Sequence, residues 1–161
     1  MTNEMSRVLE TIRQAAATTS SLEELQGCVV REIARNLHTY DWVGIYKVDR
    51  SDPEMLILGQ FVGEPTPHVK IPVSQGICGA AVREGETIIV DDVNADPRYL
   101  SCSIKTKSEI VVPICVNGRV VGEIDIDSHV AAAFTQEDRD FLEQCATIIA
   151  AAMDRTSQTW L

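Results

Sequence analysis

The dipeptide Asn117-Gly118 constrains this chain most, because apolar, β-branched runs flank it and a two-residue type I′ loop needs positive φ at both central residues. Segments 109–116 and 119–127 therefore read as paired, central strands. In the second, Glu123, Asp125 and Asp127 alternate with Ile124 and Ile126, so a regular strand puts the acids on one face and the isoleucines on the other. A plain two-residue loop sets Val116 opposite Arg119 and Glu109 opposite Ile126, which turns Glu109 away from the face of Asp125. A site shared by Glu109 and Asp125 thus requires a bulge near Pro113, which cannot donate to a ladder, or a Glu109 that is not extended. Asp125 and Asp127 are expected to face a ligand, and Glu123 to face solvent.

The remaining segments fill out an α+β fold. Met5, Val8, Leu9, Ile12, Ala15 and Ala16 keep a helical stripe, and Ser21 with Glu24 forms a capping-box pair ahead of a helix over 22–37. Segments 42–48 and 55–62 read as a hairpin with a loose loop, 69–73 as an edge strand, and 87–90 as a short strand. Ser74 is placed to cap a helix through Ala80, Ala81 and Val82, with Cys78 in its first turn, where the helix start would lower a thiol pKa. Residues 91–107 form an irregular loop, long enough to suggest a function. Thr135 and Asp138 open a last helix carrying Phe141, Leu142, Cys145, Ile148, Ile149, Ala152 and Met153 at 3.6-residue spacing. Six strands, mostly in hairpins, with helices at both ends of the chain predict an antiparallel sheet with the terminal helices on one face.

At 161 residues and 45% apolar content the chain is long enough for one well-buried core, and it is read as a single domain over 1–161. A net charge of −10 disfavours nucleic acid and anionic membrane as partners and favours a cationic or zwitterionic ligand. No apolar run approaches bilayer length and the first residues lack a secretion signal, so a soluble, cytoplasmic protein is expected. The five cysteines form neither a disulfide framework nor a zinc knuckle. Cys28, Cys145 and Cys115 lie in apolar patterns and read as structural. Cys78 and Cys102 stand in turn-like sequence near acids and are the candidates for thiol chemistry, although Cys78, between two glycines, also fits a close-packing role. His68 reads as polar surface. Asp91 and Asp92 suggest at most a cation site with Asp125 and Asp127, and no metal centre is expected.

Asp92-Val93-Asn94 with Asp96-Pro97-Arg98-Tyr99, Val111-Val112-Pro113, Gly118 with Val121-Gly122, and Ala133-Phe134 resemble the GAF domain over nearly the whole chain. Trp42-Val43-Gly44-Ile45-Tyr46, Leu58 to Gly63, Gly76-Ile77-Cys78-Gly79, Ser108 to Pro113 and Ile124 to Ser128 most resemble its free methionine-R-sulfoxide reductases. That resemblance implies a six-stranded GAF-like sheet with a ligand pocket on the face away from the terminal helices. It implies an oxidoreductase in which Cys102 attacks the sulfoxide sulfur, methionine leaves, and the sulfenic acid forms a disulfide with Cys78. Glu109, Asp125 and Asp127, with Trp42 and Tyr46, would surround the substrate. No bound cofactor is implied; a thioredoxin-type reductant would recycle the thiols. His68 stands where the family's first cysteine is expected, and Arg98 to Ser101 is closer to general GAF sequences. The alternative is a non-catalytic GAF module that binds a small molecule or senses oxidation. GAF domains often dimerise through terminal helices, and Ile12 and Met153 are candidates for such a contact.

Overall fold

In a computed structural model that describes residues 1–101 and 103–155, six strands form one antiparallel sheet in the order β3-β2-β1-β6-β5-β4. The strands are β1 (Trp42–Val48), β2 (Met55–Val62), β3 (Lys70–Pro72), β4 (Ile88–Val90), β5 (Ser108–Val116) and β6 (Arg119–Ser128). The helices are α1 (Asn3–Thr18), α2 (Leu22–Asn36), α3 (Gly76–Glu84) and α4 (Gln136–Arg155), with a short 3-10 turn at Val93–Ala95. Asn117 and Gly118 have φ of 52° and 76°, as the hairpin loop requires.

Alternation along the strands sends side chains into two separate cores. Val43, Ile45, Ile110, Val112, Ile114, Ile124 and Ile126 pack under α1, α2 and α4. Tyr46, Leu56 and Val111 face the other way, against Ile77, Ala80 and Ala81 of α3. Both faces of the sheet are therefore covered, one by the terminal helices and one by α3 and its flanking loops. Ile12 and Met153, candidates for a dimer contact, are 0% and 2% exposed inside the helical layer and are not free for a partner. No described helix is long and apolar enough to cross a membrane.

Helix ends follow the sequence in part. Ser21 accepts from the Glu24 amide at 3.2 Å, but the Glu24 carboxylate takes the Thr19 hydroxyl instead of closing the box on Ser21. Asp138 accepts from both the amide and the hydroxyl of Thr135 at 2.8 Å, and also takes the buried Tyr40 hydroxyl. Ser74 does not cap α3. Its N-cap is Gln75, without a side-chain bond, because Gly76 turns the chain at a φ of 72° and starts the helix later.

Candidate active site

The site is a consequence of one extra residue in β6. Val116 pairs with Arg119 and Cys115 with Val120, but Ile114 then pairs with Gly122, so Val121 is bulged out. The shift that the acids require is present, on β6 and not at Pro113 of β5. Beyond it Pro113 faces Glu123, Val111 faces Asp125, and Glu109 faces Asp127. Directly opposed residues share a face. On the other side of β6, Tyr46 faces Glu123, Gly44 faces Asp125 and Trp42 faces Asp127. Three cross-strand rows result: Tyr46-Glu123-Pro113, Gly44-Asp125-Val111 and Trp42-Asp127-Glu109. Glycine at the middle row is a packing requirement, since a Cβ on Gly44 would lie 2.2 Å from the indole of Trp42, which folds across it.

Glu109, Glu123, Asp125 and Asp127 are 5%, 0%, 2% and 3% exposed. Glu123, expected at the solvent surface, is thus the most deeply buried of the four. Its alternation with Ile124 was legible; the cover that α3 lays over the acidic face was not. Cys78, third residue of α3, comes down on this face and is 4% exposed. Its Sγ and carboxylate oxygens of Glu109 and Asp125 lie within 4.8 Å of one another, a set able to hold a small cation. Asp91 and Asp92 do not join them: both are exposed, and Asp92 is spent capping the 3-10 turn.

Electrostatics fixes the protonation of this cluster. Burial pushes the Glu123 and Asp127 carboxyls well above the usual carboxylate range, with the Asp125 charge adding to each. Asp125 is also raised by burial, against hydrogen bonds with Glu109 and Cys78 that favour its charged form. The Cys78 thiol is pushed well up by burial and then by Asp125, Glu123 and Glu109. The expected lowering at a helix start is overturned: desolvation and neighbouring carboxyls outweigh the backbone N–H groups. At rest Cys78 is a thiol, not a thiolate.

Aromatic side chains wall the cluster. The Trp42 indole N–H donates to the Glu64 carbonyl at 3.0 Å, and its ring stacks on Phe61 at 5.7 Å and leans on Tyr46 at 6.3 Å. Tyr46, fully buried, donates its hydroxyl to the His68 carbonyl at 2.7 Å. The His68 imidazole is half-buried and makes a further contact, Nε2 to the Ser101 carbonyl at 2.7 Å. A carbonyl only accepts, so Nε2 carries the hydrogen. His68 is therefore not idle polar surface; it ties the β2–β3 connection to the segment before Cys102. Cys102 itself, the expected nucleophile, lies outside the described residues.

The site is closed. Cys78, Glu109, Asp125, Leu100, Ile71 and Gly76 enclose about 10 Å³, at most room for one water. A second space of about 50 Å³ lies between Trp42, Asp127, Thr66 and Ser103. A cleft of about 740 Å³ between the start of α2 and the β1–β2 hairpin contains none of these acids. Of the other cysteines, Cys145 is buried and Cys28 partly so, but Cys115 is exposed, beside the register shift at Ile114 that disturbs the expected apolar packing.

A model of the GAF domain matches residues 21–153. The protein YtsP of Bacillus subtilis is 39% identical over 118 residues, 73% of this chain and 71% of that one. A free methionine-R-sulfoxide reductase of Saccharomyces cerevisiae is 43% identical over 110 residues, 68% of this chain and 61% of the enzyme. The X-ray structure of free methionine-R-sulfoxide reductase from Neisseria meningitidis, in complex with its substrate, superposes with a TM-score of 0.90 at 31% identity, covering 96% of this chain and 91% of that one.

Proposed function

The chain belongs to the GAF domain family and is closely related to the free methionine-R-sulfoxide reductases, and from that premise we propose that it reduces free methionine-R-sulfoxide to methionine by thiol chemistry. The observation that carries this reading is the cross-strand grid: three buried acids, Glu109, Asp125 and Asp127, walled by Trp42 and Tyr46 and overlaid by Cys78.

Cys102 attacks the sulfoxide sulfur, and the S–O bond passes its oxygen to the cysteine as methionine leaves, giving a sulfenic acid. The acids divide two tasks. In carboxylate form they hold the substrate ammonium, and in neutral form they protonate the sulfoxide oxygen as its charge develops. Raised carboxyl pKa values suit the second task near neutral pH. Cys78 then closes a disulfide with Cys102 and expels water. With His68 at the place of the family's first cysteine, Cys78 is the thiol left to do so. A thioredoxin-type reductant restores both thiols, which places the cycle in a reducing compartment such as the cytoplasm.

A coupled assay with the two methionine sulfoxide epimers and thioredoxin or dithiothreitol tests the reading. The R epimer is consumed by wild type and spared by Cys102→Ser; equal rates in both proteins would remove the reductase reading, and tight binding without turnover would favour a binding module.

A further inference from the structure

The Cys78 sulfur and carboxyl oxygens of Glu109 and Asp125 lie within 4.8 Å of one another, although they come from three elements, α3, β5 and β6. The bulge in β6 turns both carboxyls to one face, and α3 lowers the thiol onto them. Asp125 is 2% exposed, and although it interacts with Glu109 and Cys78, its Oδ1 has no hydrogen-bond partner among the described residues. Burying a carboxyl oxygen without a partner is costly, and a ligand at that oxygen offsets the cost. Asp125, Cys78 and Glu109 line the enclosed space of about 10 Å³. That volume takes one water or one ion stripped of its water, and no organic group. Gly76 and Leu100, which also line it, are half-buried, so an ion enters between them.

We propose that Cys78, Glu109 and Asp125 form a binding site for a thiophilic divalent cation of the zinc class. Donor type and size both select that class. Zinc takes four ligands, at about 2.3 Å for sulfur and about 2.0–2.2 Å for carboxylate oxygen, so neighbouring donors in a tetrahedral site stand about 3.5 Å apart. Side-chain rotations that draw the three donors together by roughly 1 Å complete the set. One thiolate and two carboxylates supply three ligands, and a second carboxylate oxygen supplies the fourth. Magnesium and calcium need about six or more oxygen ligands, and magnesium keeps several of its waters, for which this space has no room. Sulfur among the donors favours zinc or cobalt over either. Binding sends the thiol proton and any carboxyl proton to the buffer, and no electron is transferred. The net charge of −10 draws cations toward the protein. The functional consequence rests on the reductase reading: the ion occupies acids that hold the substrate and ties up the resolving thiol, so it inhibits turnover reversibly.

The test titrates the reduced, chelator-treated full chain with zinc chloride by calorimetry and with cobalt chloride by absorption, which reports thiolate ligation and tetrahedral geometry. Wild type is expected to bind one ion per chain, with a thiolate-to-cobalt charge-transfer band. Cys78→Ser should lose that band, and Cys78→Ser and Asp125→Asn should each weaken zinc binding at least about tenfold. Cys115→Ser, which removes an exposed thiol, and Cys102→Ser should keep both signals. Magnesium chloride should give no heat of binding. No thiolate band in wild type overturns the proposal without recourse to any variant. So does a band that survives Cys78→Ser, or zinc affinity unchanged in Asp125→Asn, which keeps the shape of the side chain. Magnesium binding as tight as zinc binding overturns the assigned class. Release of methionine in a single turnover should fall at least about tenfold under saturating zinc and return with chelator. Release undiminished by zinc overturns the inhibitory role while the reductase reading stands. If wild type releases no methionine even without zinc, the reductase reading fails, and the two titrations still decide the site.

Discussion

Glu109 of β5 stands directly opposite Asp127 of β6 because Val121 is an extra residue in the ladder between them and the Asn117-Gly118 turn. Removing Val121 should restore the plain register, rotating Glu109 toward the helices or the acids of β6 off their face. A Val121 deletion is expected to lose at least about 3 kcal/mol of stability, because either outcome puts carboxyls into an apolar core. Urea denaturation measures it. Loss under about 1 kcal/mol would mean that the bulge does not fix this register.

The acids make a second prediction about pH. Asp125, Asp127 and Glu123 have folded-state pKa values raised above their unfolded values. Between the two values the folded state binds more protons, so stability falls as pH rises from about 4 toward the raised values. Asp96, half-buried and held below the usual carboxylate range by Arg98, works in the opposite sense, but its partner guanidinium is solvent-exposed and the pair is screened. Glu123→Gln and Asp127→Asn should each flatten the decline in unfolding free energy from pH 5 to pH 8, and Glu123→Gln should be the more stable protein at pH 8 by about 1–2 kcal/mol. Unchanged pH dependence in both variants would contradict the assigned protonation.

The hairpin that organises the sheet can be tested apart from the chemistry. Gly118 sits at a φ of 76° with open space around its Cα, so Gly118→Ala meets backbone strain and no clash. It should cost about 1 kcal/mol and leave reductase activity unchanged. Thermal unfolding and the coupled assay check the two halves.

His68 supplies a prediction about the loop. Its Nε2–H holds the Ser101 carbonyl, and its own carbonyl takes the Tyr46 hydroxyl. His68→Ala removes the first bond and keeps the second. Limited proteolysis within 96–107 should accelerate several-fold in His68→Ala and less in His68→Gln, which retains an N–H donor. Equal protection in all three proteins would show that the contact does not order the segment.

The hairpins, the helical stripes and the acid-isoleucine alternation of β6 were legible because each is written in local periodicity. The bulge was legible as a need but not as a place: Pro113 looked suited to it, whereas the extra residue is Val121, an ordinary strand former. What the sequence did not reveal depends on tertiary cover. Glu123 reads as solvated until α3 is laid over it, and Cys78 reads as activated until the helix start that should ionise it is found buried among carboxyls. The His68 contact joins two loops with no periodicity to align them.

A single-turnover experiment tests whether Cys102 reduces the sulfoxide and Cys78 resolves it. Reduced protein is mixed with free methionine-R-sulfoxide in the absence of any reductant, and methionine and peptide disulfides are counted after quenching. The expected result is one methionine per wild-type chain, a disulfide joining Cys78 to Cys102, and no methionine from Cys102→Ser. Methionine in equal amount from Cys102→Ser, or none from wild type, would contradict it.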